Sequence, residues 1–363
     1  MNYLKDTLEL ALGLKRPHAG KSVRVLKDYL LATLPAAYED TIGNIHCTVG
    51  NSRTLFSAHT DTVHRDDGKN SYLLCDEQII TDGKAKLTRT MYRGHGAVLG
   101  ADDGAGCALL VHLAMNNVPG HYVFHHAEEV GGIGSTALAA SKAFIGLFDR
   151  AIAFDRKSDH SVITRQSGGN CCSQLFAGAL CDALNAGDES FMFCPDDGGV
   201  YTDTAEYIDQ IAECTNVSCG YYSEHSNSES LDYSFLERLA ASLLTINFEA
   251  LPIGVRDIEP VRQSYFSDWG SAGLAVTFPK DVVPDYNDIS PYWALDSFYD
   301  MIDQYEDVFV KFTDAEIDEA AGLLGDEGIW RLIDDVDSGF MDMAGLENAL
   351  RSPTAYLQAE GLA

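Results

Sequence analysis

From residue 97 onward the chain alternates β-type apolar runs with helical ones, and this alternation constrains the fold more than any other feature. "AVLGADDGAGCALLVHLAMNN" reads as a turn followed by a helix, "HYVFHHA" as a strand, "GSTALAASKAF" as a helix and "RAIAFD" as a strand. "SVITR", "NCCSQLFAGALCDALNA", "IAECTNVSCGYY" and "SLDYSFLERLAASLLTINFEAL" continue as strand, helix, strand and long helix. Strands that alternate with helices require a sheet whose faces the helices cover. The predicted fold is therefore α/β, a mixed twisted sheet sandwiched between helices.

Ahead of this region the first 35 residues read as two helices, the second being "KSVRVLKDYLLATL" with apolar positions at helical spacing. Short β-type runs follow, "NIHCTV", "TLFSAH", "SYLLC" and "QIITDG", separated by Gly, Asn and Asp turns.

The character changes after about residue 254. Residues 255–363 carry 6 basic and 23 acidic side chains, more than half of the chain's net charge of -30. They read as an acidic, mainly helical C-terminal appendage of three helices, one starting at a Thr313 or Asp314 cap, attached to a domain spanning 1–254. The stretch "DDVDSGFMDMAGLE" does not make a calcium loop. Counted from Asp335, Phe340 and Leu346 stand where glycine and glutamate are needed; counted from Asp334, Gly345 closes the loop without a carboxylate.

A hydrophobic content of 46% suffices for a real core, while 25 basic against 55 acidic residues repels phosphate backbones and anionic lipid. Neither nucleic acid nor membrane is expected as a partner. No stretch approaches the roughly 18 apolar residues of a membrane span, and the start lacks a signal peptide's apolar core, so a cytoplasmic location is expected. Nine cysteines without a C-x-x-C pair indicate neither a disulfide framework nor a zinc ribbon.

Five places put metal-ligand side chains at or just past a predicted strand end: "SAHTDT" (His59, Asp61), "LGADDGAG" (Asp102, Asp103), "HHAEEVGG" (Glu128, Glu129), "AFDRK" (Asp155) and "YYSEHSNSE" (His225). Strand C-terminal ends are where open α/β sheets build their sites. Singly each is weak: a His-x-Asp is commonly a turn, and a pair of glutamates commonly complements a helix dipole. "GADDGAG" lacks the Lys-Ser/Thr of a phosphate loop, and its carboxylates would repel phosphate.

Together, over roughly residues 20 to 247, these segments resemble the co-catalytic di-zinc exopeptidases: leucyl-type aminopeptidases, peptidase T and related zinc carboxypeptidases. The resemblance implies a zinc exopeptidase architecture and two zinc ions per chain, one held by His59 and Asp155, the other by Glu129 and His225, with Asp102 bridging them. It implies that Asp61 orients His59, that Glu128 is the general base for a di-zinc-activated water, and that the Asp102–Asp103 peptide is cis. Gly131, Gly132 and Gly134 are expected to let the backbone approach the sheet. His125 and His126 read as core or supporting residues pointing to opposite faces; His64, His95 and His160 lie near the motifs and are candidates for meeting substrate.

About 70 residues separate Asp155 from His225, too few for the inserted lid of the carboxypeptidases, so the architecture resembles the lidless aminopeptidases. "GADDGAG" and "AEEVGGIGS" are closer in wording to peptidase T. The interval from His59 to Asp102, about 40 residues, is expected to hold an extra β-hairpin with "HRDDGKN" at its tip. An aminopeptidase needs carboxylates near the substrate ammonium, and Asp203 is a candidate whose other reading is a helix cap. A carboxypeptidase needs a cation for the substrate carboxylate, for which Arg156, Lys157 and Arg165 are candidates. An aminopeptidase acting on a peptide or small amide is the favoured expectation. A carboxypeptidase, a dipeptidase, a deacylase, a single-zinc cyclase and an inactive binding protein on the same fold are the alternatives. A homo-oligomer is compatible with the sequence, as is a tail that covers the cleft; no motif decides between them.

Overall fold

The computed structural model describes residues 2–81, 85–256 and 343–359, with residues 312, 320, 323, 324 and 332. Its Cα positions group into two compact units, Met1–Arg262 and Gln263–Ala363. Among the described residues no helix is long and apolar enough to cross a membrane.

Helix α1 (Tyr3–Leu12) starts at Asn2, whose side chain accepts the Lys5 amide, and buries Leu4, Thr7, Leu8, Ala11 and Leu12, the stripe that helical periodicity demands. Helix α2 (Lys21–Thr33) follows, then strands β1 (Tyr38–Glu39), β2 (Ile45–Val49) and β3 (Thr54–His59). A long hairpin of β4 (Tyr72–Thr81) and β5 (Ala85–Gly94) leads to α3 (Ala101–Met115), β6 (Gly120–His125), α4 (Ile133–Ala139) and β7 (Arg150–Arg156). Next come β8 (Ser161–Ile163), α5 (Gln174–Gly187), β9 (Cys194–Asp196), β10 (Glu213–Ser218), β11 (Tyr221–Tyr222), β12 (Ser230–Asp232) and α6 (Tyr233–Leu243).

Eight strands form a mixed sheet in the order β9-β8-β10-β7-β3-β6-β2-β1. The central run β10-β7-β3-β6 is parallel, so the C-terminal ends of these strands share one edge; β2 and β1 extend it antiparallel. All residues of β3, β6 and β10 are buried, as strands covered on both faces must be. Helix α3 is buried on nearly every side and packs against β3 and β7 as well as α1 and α6. Phe56 stacks with Tyr122 and Phe154 across three neighbouring strands, centring the core beneath the parallel run. The fold is the expected α/β class.

Six local readings are corrected. "SLDYSFLERLAASLLTINFEAL" is not one long helix: Ser230–Asp232 is the strand β12, and α6 runs over Tyr233–Leu243 from the point where Asp232 accepts the Phe235 amide. "GSTALAASKAF" divides into the helices Ile133–Ala139 and Lys142–Ile145. Tyr72–Cys75 of "SYLLC" and Gln78–Thr81 of "QIITDG" belong to the single strand β4, because the hairpin partner β5 pairs with it along its length. "HRDDGKN" is not the hairpin tip but the approach to it. There Asp67 accepts the Lys21 and Ser22 amides at the start of α2, and Gly68–Lys69 pairs with Leu14–Lys15. Helix α5 begins at Gln174 rather than near Asn170, since Ser173 caps it by accepting the Phe176 amide. Tyr221–Tyr222 leaves the main sheet after Gly220 (φ +87°) and joins β12, β5 and β4 in a second, antiparallel sheet.

In the second unit the described elements are α7 (Met343–Arg351) and α8 (Pro353–Ala359). The Thr313 or Asp314 cap, and residues 334–342 of the acidic stretch, lie outside the described residues.

Candidate metal centre

The strand ends place the side chains. His59 is the last residue of β3, Asp155 lies near the end of β7, and Glu128 and Glu129 follow β6 by a short turn. Asp102 opens α3 and His225 follows β11; both are reached through the small sheet. Gly106, one turn into α3, permits the approach, because a Cβ there would lie 2.3 Å from the Phe154 carbonyl oxygen and 2.4 Å from Asp103 Oδ1. Of the three glycines after the Glu pair, Gly131 and Gly132 take positive φ and Gly134 packs on the His126 backbone.

Asp102 stands between the two histidines. Its Oδ1 lies 3.0 Å from His59 Nε2 and its Oδ2 lies 3.1 Å from His225 Nε2. His59 Nε2 is also 3.7 Å from Asp155 Oδ1, and His225 Nε2 is 3.2 Å from Glu129 Oε2. Two triads result, His59-Asp102-Asp155 and Asp102-Glu129-His225, in each of which one donor atom per residue lies within 4.8 Å of the others. Glu128 belongs to neither triad and sits at the margin, its Oε2 3.9 Å from His59 Nε2. Among the described residues these two triads bring together the five side chains that the resemblance implies as ligands, and the Asp102–Asp103 peptide is cis.

The surroundings hold these groups in place. Asp61, fully buried, accepts the backbone amides of Glu128 (3.1 Å) and Glu129 (3.3 Å), and its Oδ1 is 3.6 Å from His59 Nδ1. Asp103 accepts the His59 amide (3.1 Å) and the Gly106 amide (2.8 Å), so the second carboxylate of "DD" points away from the triads. Asp155 is gripped at both oxygens, by Thr202 Oγ1 (2.6 Å) and the Tyr221 hydroxyl (3.0 Å), while the Asn216 side chain bonds both its backbone N–H and its carbonyl.

So many acids in one buried place perturb each other. Burial pushes the Glu128 carboxyl well above the usual range, and Asp155, Asp203 and Glu129 add to this against the opposing pull of His59. Burial alone would depress His59; the charges of Asp155 and Glu128 and the hydrogen bond to Asp102 outweigh it and hold the imidazole well above its ordinary value. Asp102 moves the other way, its burial outweighed by His225 and His59. His59 Nδ1, Glu129 Oε1 and Asp203 Oδ1 are buried with no hydrogen-bond partner. A cluster short of positive charge, with imidazole nitrogen and carboxylate oxygen donors left over, matches the chemistry of a divalent cation such as zinc.

The remaining candidates fall elsewhere. Buried His125 bonds the Tyr207 hydroxyl (3.1 Å) and half-buried His126 meets Lys27 Nζ (3.2 Å), one on each side as alternation predicts. His64 is held by Thr62 Oγ1 and the Val98 carbonyl, and His160 by Ser158 and Asp159; neither they nor the exposed His95 enter a triad. Asp203 is not a helix cap: Thr202 occupies the cap position of the 3-10 turn Asp203–Tyr207. The cation candidates are engaged, Arg156 with the Gly198 carbonyl (2.8 Å), Lys157 with Glu224 (2.7 Å) and Arg165 with the Gly168 carbonyl (3.0 Å). Sequence reasoning missed Arg16 and Glu229, both fully buried against the turn that carries Asp102. The one signal for Glu229 is its place four residues after His225.

No protein-family model matches the chain, and no curated protein matches it in sequence. Among solved structures, the aminopeptidase PepT from Bacillus cereus aligns at a TM-score of 0.49 and 14% identity, covering 67% of this chain and 96% of its own. The TET1 peptidase of Pyrococcus horikoshii aligns at 0.45 and 16%, covering 62% and 94%. The aminopeptidase APDkam598 from Desulfurococcus kamchatkensis aligns at 0.47 and 14%, covering 67% and 93%. Likenesses at this level fix neither an activity nor the role of a residue, which rest on the geometry of the site.

Proposed function

We propose that this chain is a zinc-dependent exopeptidase, an aminopeptidase, that holds two zinc ions. His59, Asp102 and Asp155 would hold one ion and Asp102, Glu129 and His225 the other. The observation that carries this reading is the placement of Asp102, whose two oxygens face two different histidines at 3.0 and 3.1 Å, as a carboxylate shared by two cations must. Two zinc ions held there would supply a water of lowered pKa and polarise the substrate carbonyl.

The chain's own residues do the rest. Glu128, outside both triads, accepts a proton from the attacking water at its carboxylate as the water oxygen bonds to the scissile carbonyl carbon. The C–N bond then breaks and Glu128 delivers that proton to the leaving amine nitrogen. Asp61 orients this carboxylate through the amides of the Glu pair and faces the far nitrogen of His59. Thr202 and Tyr221 fix which lone pairs Asp155 can offer.

The choice of terminus rests on charge. Among the described residues, the three candidates Arg156, Lys157 and Arg165 each bond another group, so none of them is set aside for a substrate carboxylate. Asp203, its carboxyl pushed well up by burial, keeps one oxygen unpartnered and so offers an acceptor to a substrate ammonium. The test is a mixed peptide set, with free and acetylated N-termini and free and amidated C-termini, incubated with zinc-loaded protein and read by mass spectrometry. Loss of single residues from free N-termini is expected. Cleavage that requires a free C-terminus, or none at all, overturns the assignment.

A further inference from the structure

A buried glutamate and a buried arginine each bond the turn that carries Asp102, and neither belongs to a triad. Glu229 is 0% exposed; its Oε2 accepts the Gly100 amide (2.8 Å) and its Oε1 the Asp102 amide (3.0 Å). Arg16 is also 0% exposed, and its guanidinium donates to three carbonyls: Gly100 (3.1 Å), Thr60 (2.9 Å) and Ala11 (2.5 Å). The N–H of Gly100 is thus held by Glu229 and its C=O by Arg16, in a residue whose φ of +76° only glycine adopts without strain.

The partners of this pair lead straight to the ligands. Thr60 follows His59, Gly100 is two residues before Asp102, and Glu229 lies four residues after His225, just before β12. A buried polar group persists only where hydrogen bonds satisfy it, and both side chains use theirs on backbone near triad residues from separate segments. A planar guanidinium can reach three carbonyls at once; an ammonium cannot reproduce that fork.

We propose that Glu229 and Arg16 are positioning residues for the shared carboxylate: they clamp the turn at residues 100–102 from both sides and hold Asp102 at the spacing that serves both triads. This rests on the two-cation reading above. Because Asp102 is common to both triads, loosening the clamp weakens both cation sites together.

The test uses full-length protein stripped with a chelator and titrated with zinc in competition with a chromophoric chelator. The d–d absorption of the cobalt(II)-loaded form is a second readout. Glu229→Gln keeps the shape but turns an acceptor into a donor facing an N–H, and Arg16→Lys keeps the charge but loses the fork. The control is Glu213→Gln, which changes a buried glutamate of the same kind that accepts the Ser173 and Gly254 amides at the start of β10.

We expect the wild type to bind two zinc ions and each clamp variant to bind both about tenfold or more weakly, with an altered cobalt spectrum. Glu213→Gln is expected to lower the apoprotein's melting temperature while leaving zinc affinity and spectrum unchanged. Wild-type affinity at both sites in whichever clamp variant folds overturns the proposal, as does an equal loss in Glu213→Gln. A wild type that binds no zinc overturns the two-cation reading itself.

Discussion

Asp61 accepts the backbone amide of Glu128 at 3.1 Å, although 67 positions of sequence separate them. The contact sets where the glutamate pair stands, because the other Asp61 oxygen accepts the Glu129 amide while the first lies 3.6 Å from His59 Nδ1. Asp61→Asn puts an amide donor in the place of an acceptor on at least one side. It is expected to lower kcat/KM and zinc affinity by about 10- to 100-fold, measured by steady-state kinetics and zinc titration.

Glu128→Gln separates proton transfer from cation binding, since Glu128 is in neither triad. The variant should retain its zinc by elemental analysis while kcat falls by about 10²- to 10⁴-fold. Undiminished turnover would remove Glu128 from the proton-transfer role.

Stripping the cations should abolish hydrolysis and lower the melting temperature, and added zinc should restore both. The physical reason is that Asp102, Glu128, Glu129 and Asp155 are packed against only two imidazoles at the triads. Calorimetry of the stripped and reloaded protein reads the shift. A chelated protein of unchanged activity would refute the metal requirement.

A second histidine network sets acid sensitivity. Thr48 Oγ1 lies 2.8 Å from His121 Nδ1, His121 Nε2 lies 3.0 Å from His46 Nδ1, and His46 Nε2 lies 3.2 Å from Asp40. Burial, reinforced by His46, lowers His121 to about 3; burial with the charge of Arg16 lowers His64 to about 4. The unfolded chain protonates these two groups near pH 6.5 while the folded chain does not, so each of them contributes a loss of stability as pH drops from about 6.5 toward 4. The slope is up to about 1.4 kcal/mol per pH unit for each group. Chemical denaturation between pH 7 and 4 measures it, and His121→Gln should flatten it.

Gly106→Ala tests the close approach of α3 to β7. The added methyl would overlap the Phe154 carbonyl and the Asp103 carboxylate. A loss of about 3 kcal/mol is expected from denaturant midpoints, with Gly178→Ala, where a Cβ meets nothing within 4 Å, as the comparison.

The parallel strands were legible because both their faces are buried: Thr54–His59, Gly120–His125 and Arg150–Arg156 had to be short apolar runs, and His59, the Glu128–Glu129 pair and Asp155 stand at or near their ends. The strand Ala85–Gly94 was not, since "AKLTRTMYRG" alternates polar groups and takes its order from pairing with Tyr72–Thr81. "HRDDGKN" misled for a related reason, as turn-forming composition does not say which turn a hairpin uses.

The sequence by itself determined the α/β class and the strand ends, because those follow from local periodicity, while the set of five converging side chains came from the resemblance of its motifs to the di-zinc exopeptidases. Only the tertiary structure decided which groups hold them. Arg16 stands beside Lys15 with nothing to mark it as the buried one, and its partners are carbonyls of residues 11, 60 and 100. Backbone carbonyls and amides are the same at every position. A side chain that acts by gripping them therefore leaves no pattern in the sequence until the chain has folded around it.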